Sequence, residues 1–122
     1  MIPIKFILPL NTKLSSNQKD RTSWQVLRTT KAKCRRDGKI LALGYVNRFT
    51  KCDRLKITYR FYFKDKRRRD LCNFMEAQKS VIDGIFDTLG CDDSQIDHVV
   101  ALRCIDETNT RCEVVIEVID NG

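Results

Sequence analysis

Between residues 54 and 89 the spacing of apolar side chains switches from every second position to about every 3.6, and this switch constrains the fold more than any other feature. Over 54–63 (RLKITYRFYF), Leu55, Ile57, Tyr59, Phe61 and Phe63 fall on one side, and Lys56, Thr58, Arg60 and Tyr62 on the other. That alternation predicts a strand with one buried face. Over 71–89, Phe74, Ala77, Val81, Ile82, Ile85, Phe86 and Leu89 recur at helical spacing, and Asp70 is placed to cap the helix start. A strand, a basic turn and a helix in that order are the first half of a β-α-β arrangement.

The rest of the chain extends the pattern. Residues 2–9 read as a first strand and 10–22 as a polar loop. Residues 24–45 are loosely helical through Trp24, Val26, Leu27, Leu41 and Leu43; Thr29, Thr30 and Gly38 weaken the helix, and a break is expected near Asp37–Gly38. Residues 97–105 and 111–119 read as strands joined by the polar turn Glu107–Thr110, which predicts a hairpin. The order β-α-β-α-β-β is that of an α/β fold, a mixed sheet of about four strands with two main helices. With 122 residues and no repeat or linker, a single domain over 1–122 is expected. Trp24, Tyr59 and the phenylalanines are assigned to its core.

Charge is unevenly spread. Residues 1–69 hold 20 Lys or Arg against four Asp, a net +16, and residues 70–122 hold three against 12 acids, a net −9, within an overall +7. A basic first half suits a polyanion such as nucleic acid, although a solvated basic surface without a partner has the same composition. No apolar run approaches the roughly 18 residues that a membrane span needs. The opening MIPIKFILPL is short for a signal peptide and is interrupted by Pro3, Lys5 and Pro9, so a cytoplasmic protein is expected. The six cysteines form no CxxC pair, and His98 is the only histidine, so zinc is not indicated; reduced, mostly buried thiols are expected.

Two segments could carry chemistry. In KDKRRRDLCN (64–73), Lys66, Arg67, Arg68 and Arg69 can grip phosphate oxygens, and Asp70 beside them can hold a divalent metal that bridges to the same phosphate. A solvated basic loop with an ordinary cap is the competing reading. In GCDDSQ (90–95), Asp92 and Asp93 are a metal ligand pair or a turn. Between them, Lys79 shares a polar stripe with Glu76 and Asp83. It either supplies charge to a phosphate or pairs with Asp83 four residues on. Cys91 and His98 have no nucleophile–base arrangement around them.

RRRDLCN, the helix with Lys79 and Asp83–Gly84–Ile85, and LGCDDSQI together resemble the RusA family of Holliday-junction resolvases, whose members carry R-R-D-L-D-N, a helix with a lysine and a D-A/G-L element, then a glycine and D-D-x-Q. The opening ILPL…KLSSNQ is similar to the family's first strand and loop. The resemblance is specific over about residues 66–96 and loose elsewhere. It implies a homodimer that binds four-way DNA junctions and nicks two strands symmetrically with Mg²⁺ or Mn²⁺. It implies catalytic roles for Asp70, Asp93 and Lys79, metal ligation by Asp70, Asp92 and Asp93, and DNA contacts from Lys66, Arg67, Arg68 and Arg69.

One position departs from the family. Cys72 stands where the second aspartate of D-L-D-N is expected, and a thiol is a soft ligand poorly matched to Mg²⁺. Three outcomes stay open: Asp70 and Asp93 suffice, with Glu76 or water completing the site; activity survives only with a softer ion such as Mn²⁺; or the protein binds junctions without cutting. The expectation is a weakened nuclease. The alternatives are a non-catalytic branched-DNA-binding protein on the same scaffold and a basic adaptor whose acidic half meets another protein.

Overall fold

The computed structural model describes residues 3–10 and 23–120; the expected loop at 10–22, with its KLSSNQ stretch, lies almost wholly outside them. The chain is α/β, with a four-stranded mixed sheet and two long helices. The elements are β1 (Ile4–Leu8), α1 (Trp24–Leu41), a 3₁₀ turn (Leu43–Tyr45), β2 (Arg54–Phe63), α2 (Leu71–Leu89), a second 3₁₀ turn (Asp93–Gln95), β3 (Ile96–Ile105) and β4 (Arg111–Asp120). They fall into two compact units, one holding the sheet and residues 52–71, the other holding α1 and Cys72–Asp93.

In the sheet unit the strand order is β1-β4-β2-β3. β2 lies parallel to β3, as two strands joined through a helix commonly do, and antiparallel to β4 on its other side. The expected alternation holds: Leu55, Ile57, Tyr59, Phe61 and Phe63 are all buried, and the last three rings stack along the strand with centroids 5.8 and 6.3 Å apart. Ile4, Phe6 and Leu8 of β1 and Cys112, Val114 and Ile116 of β4 join them on the same face, in register.

The expected β3–β4 hairpin does not form, because β2 lies between those strands. The reason is visible on the other face of the sheet. The acids of β4 meet cations on both neighbours, Glu113 with Lys5 of β1 at 3.3 Å and Glu117 with Lys56 of β2 at 3.9 Å. Arg111 bonds Glu113 and Asp106, each at 2.8 Å, and covers the Tyr62 ring of β2. Opposite charges across strands and a wholly buried inner face both favour an interior place for β4. The turn between the strands is closed locally, by Asp106 Oδ1 accepting from the Thr108 and Asn109 amides.

In the helical unit, Ser23 caps α1 by accepting from the Val26 amide at 3.3 Å. The helix runs unbroken through Gly38, contrary to the expected break. Gly38 is buried, and a Cβ there would strike the carbonyl oxygen of Val81 on α2; reciprocally, a Cβ on Gly84 would strike the carbonyl of Arg35 on α1. The two glycines form the crossing point of the helices, where backbone meets backbone. α2 buries Ala77, Ile82, Ile85, Phe86 and Leu89, on the stripe read from its spacing. Trp24, expected in the core, is 69% exposed with the Arg28 guanidinium 5.4 Å above its ring. It opens α1, where the burial pattern has not yet begun.

Candidate functional site

In the sheet unit the segment after β2 is a shaped turn rather than a loose basic tail. Asp65 Oδ1 accepts from the Arg67 amide at 2.9 Å and pairs with Arg69 at 2.9 Å. The Arg67 amide bond, with help from Arg69, holds the Asp65 carboxyl below its ordinary pKa. Arg69 also donates to the Asp65 and Arg67 carbonyls, each at 3.1 Å, and lies 4.6 Å over the Phe63 ring, while Arg103 donates to the Arg69 carbonyl. Arg69 therefore shapes the turn from within. Lys66, Arg67 and Arg68 are exposed, and none makes a salt bridge among the described residues. Asp70, the last residue before α2, is exposed.

In the helical unit the fold brings Lys79 and Asp93 together. Gly90, at φ +79°, ends α2: its own amide and that of Cys91 both donate to the Phe86 carbonyl, a reversal that favours glycine. The Asn47 and Phe49 amides donate to the last carbonyls of α2, those of Thr88 and Leu89. The turned chain carries Asp93 back to the helix, where Lys79 Nζ lies 3.1 Å from Asp93 Oδ2 and 3.2 Å from Asp83 Oδ1. Partial burial pulls the Lys79 pKa down, but the hydrogen bonds that Lys79 donates to Asp93 and Asp83 outweigh it and hold the ammonium above the ordinary lysine value. Lys79 is thus a fixed cation, suited to stabilising negative charge and unsuited to removing a proton.

Lys79 borders an open hollow of about 260 Å³ whose lining also includes Lys31 and Arg35 of α1 with Glu76, Ser80 and Asp83 of α2. Arg35 grips Asp87 with two bonds, at 2.7 and 2.9 Å. Lys31 and Arg35 were not selected from the sequence; their spacing of four on one helix was the available signal. Gln95, the last residue of D-D-x-Q, is buried and donates from Nε2 to the Asp53 carbonyl at 3.0 Å, so it fastens the start of β3 to that of β2. Arg54 reinforces the joint by bonding Asp97 and the Ser94 carbonyl.

Among the described residues, no group of three or more His, Cys, Asp or Glu gathers to hold a metal ion. Asp83 and Asp93 each give an oxygen to Lys79, and Asp92 and Asp93 are exposed. Cys72 is exposed, which excludes a buried core thiol at the family's aspartate position. These residues do not form a ready seat for a hard divalent cation. Of the remaining cysteines, Cys91 and Cys112 are buried, Cys34 and Cys104 half-buried, and Cys52 exposed like Cys72, so burial is less general than expected. Burial, with Glu113 beside it, pushes the Cys112 pKa up to about 12. His98 is exposed on β3.

No helix among the described residues is long and apolar enough to cross a membrane. No known protein family and no curated protein matches the chain, so the resemblance to RusA-type resolvases rests on the motifs quoted above.

Proposed function

We propose that this chain is a RusA-like protein of DNA junctions, one that binds four-way DNA through its phosphate backbone and nicks it weakly at most. The observation that carries the reading is the basic turn: Asp65 and Arg69 fix its shape, and Lys66, Arg67 and Arg68 remain exposed at its surface. Cations on a preshaped turn contact phosphates without first having to order it. The cationic side of the hollow, Lys31 and Lys79, supports the same reading at a second place in the chain.

Weak nicking follows from the donor set. The resemblance implies Mg²⁺ or Mn²⁺ on several carboxylates, whereas this chain has a thiol at position 72. A second reading, a metal-dependent symmetric resolvase acting as a homodimer, is favoured by one observation, the contact between Lys79 and Asp93. These are two of the three residues to which the resemblance gives catalytic roles.

One experiment tests both. A labelled four-way junction and a duplex of the same sequence are titrated with the protein, without divalent ion and then with Mg²⁺ or Mn²⁺, beside Cys72→Asp and Asp70→Asn. Tighter binding to the junction than to the duplex is expected, and equal binding to both overturns the proposal. Paired nicks that increase in Cys72→Asp and vanish in Asp70→Asn establish the resolvase; binding without nicks in every variant establishes the non-cutting form.

A further inference from the structure

α1 sorts its cations into two groups. Arg35 and Lys39 turn to α2 and both reach Asp87, at 2.7 and 3.7 Å. Arg28, Lys31, Lys33 and Arg36 are exposed, and none makes a salt bridge among the described residues, although Asp37 stands four places after Lys33. Helix stability does not account for them. The first turn of α1 holds no acid, the charge that a helix start favours, and Asp37 is the only acid of the whole helix. Arg28 and Lys31, like Lys33 and Arg36, set like charges three places apart, which oppose each other. The preceding residues 11–22 do not supply the missing charge, since they hold Lys13, Lys19 and Arg21 against Asp20 alone.

We propose that the outer side of α1 is a separate DNA surface, one that lies in the major groove of uninterrupted B-form duplex with Arg28, Lys31, Lys33 and Arg36 on the phosphates. Leu27, Thr30, Cys34 and Gly38 are half-buried or buried along one side of the helix, and Gly38 meets α2 there. On the opposite side, at 3.6 residues per turn, Gln25, Thr29, Ala32 and Arg36 make an exposed row. The middle of that row is low: Ala32 is small, and the Thr29 hydroxyl folds back to the Gln25 carbonyl at 3.0 Å. Arg28 and Lys31 flank the row on one side and Lys33 on the other, so the cations are placed for phosphates of both strands. A helix about 10–12 Å across fits a major groove about 12 Å wide, and Arg28 to Arg36 spans about 12 Å, or three to four base pairs. The deep, narrow major groove of A-form RNA does not admit it. A lipid surface would need the apolar side chains gathered on one face, whereas exposed Trp24 lies on the flank of Arg28 and exposed Val26 on that of Lys33.

Trp24, the chain's only tryptophan, stands at the start of α1 beneath the Arg28 guanidinium and reports on this surface. Adding uninterrupted duplex to the full chain is expected to change its emission, and added salt to reverse the change. Arg28→Gln, Lys31→Gln, Lys33→Gln and Arg36→Gln together preserve helix propensity, and circular dichroism checks that the variant is folded. Four lost phosphate contacts are expected to reduce the slope of log K against log salt by about 3.6 on that duplex. Lys51→Gln with Lys64→Gln, both outside α1, leaves the slope unchanged, and double-stranded RNA of the same sequence binds more weakly than the DNA. Preference for a four-way junction is a separate property: equal binding of junction and duplex removes the junction reading and leaves this surface in place. Any of four results overturns the proposal: Trp24 emission indifferent to duplex, whether or not phosphatidylserine vesicles alter it; an unaltered slope in the four-residue variant; the same fall per residue in the Lys51 and Lys64 control; or equal affinity for the RNA duplex.

Discussion

Replacing Gly84 by alanine adds one methyl group, and its cost follows from the crossing of α1 and α2. In an open helix that change stabilises by about 1 kcal/mol, since glycine is the poorer helix former. Here the new Cβ would run into the Arg35 carbonyl and stand 3.0 Å from the Lys39 amide nitrogen. Both obstacles are backbone, so no side chain can swing aside, and the helices must part by more than about 1 Å to reach the ~3.5 Å of an ordinary contact. Overpacking of this kind costs about 3 kcal/mol at the upper end of its usual range, which leaves about 2 kcal/mol net after the helix-propensity gain. With an unfolding entropy near 2.1 cal/mol/K per residue, a chain of this length loses about 8 °C in Tm. Scanning calorimetry and urea unfolding followed by circular dichroism measure this directly. Gly44→Ala is the control, because a Cβ there meets nothing within 4 Å, and it should shift the midpoint little. A Gly84→Ala protein as stable as the unmodified chain would refute the reasoning.

The ion pair between Arg35 and Asp87 makes a pH-dependent contribution. Its hydrogen bond to Arg35 lowers the Asp87 pKa in the folded chain, so the stabilisation is complete above the ordinary value of 3.8 and is lost as pH falls through the lower folded value. Asp87→Asn should therefore be less stable than the unmodified protein at pH 7 and converge with it in urea titrations carried into that acid range. In the DNA reading, Arg67→Ala with Arg68→Ala should reduce the slope of log K against log salt by about 1.8, from two lost phosphate contacts, while leaving the melting curve nearly unchanged; an unaltered slope removes these residues from the interface. A thiol reagent should label exposed Cys52 and Cys72 rapidly in the native protein and buried Cys112 only after unfolding, as peptide mapping of the labelled chain would show.

What was legible in the sequence was the part set by local spacing. The faces of β2 and α2 follow from which neighbours along the chain share a side, and the bounds of both elements matched those read from the apolar pattern. What was not legible depended on partners distant in sequence. A glycine in a helix reads as a weak point until the second glycine, at position 84, is seen to occupy the same crossing. A polar turn between two strands reads as a hairpin, whereas here cross-strand charge pairs with Lys5 and Lys56 accompany β4 into the middle of the sheet. Trp24 reads as core by composition, but its place at the first turn of α1 leaves it exposed.

The candidate site divides the same way. Lys79 and Asp93 could be named from their motif, but their contact depends on the reversal at Gly90, which a residue list does not contain. In the sequence Arg69 is one of four consecutive cations, Lys66 to Arg69, with nothing local to distinguish it. Its stacking on Phe63 and its bond to Asp65 set it apart.

The strand order has a consequence for how the chain comes to be folded. Among the described residues β1 pairs with β4 alone, so residues 4–8 lack that partner until residues 111–120 have been synthesised. During translation residues 4–8 must wait, and folding of the sheet is gated by the arrival of a distant segment, a topology of the slow kind. A nick or early stop before residue 111 would remove an interior strand and strand the first one with it, so partial chains should be prey for proteolysis instead of surviving as trimmed versions of the protein.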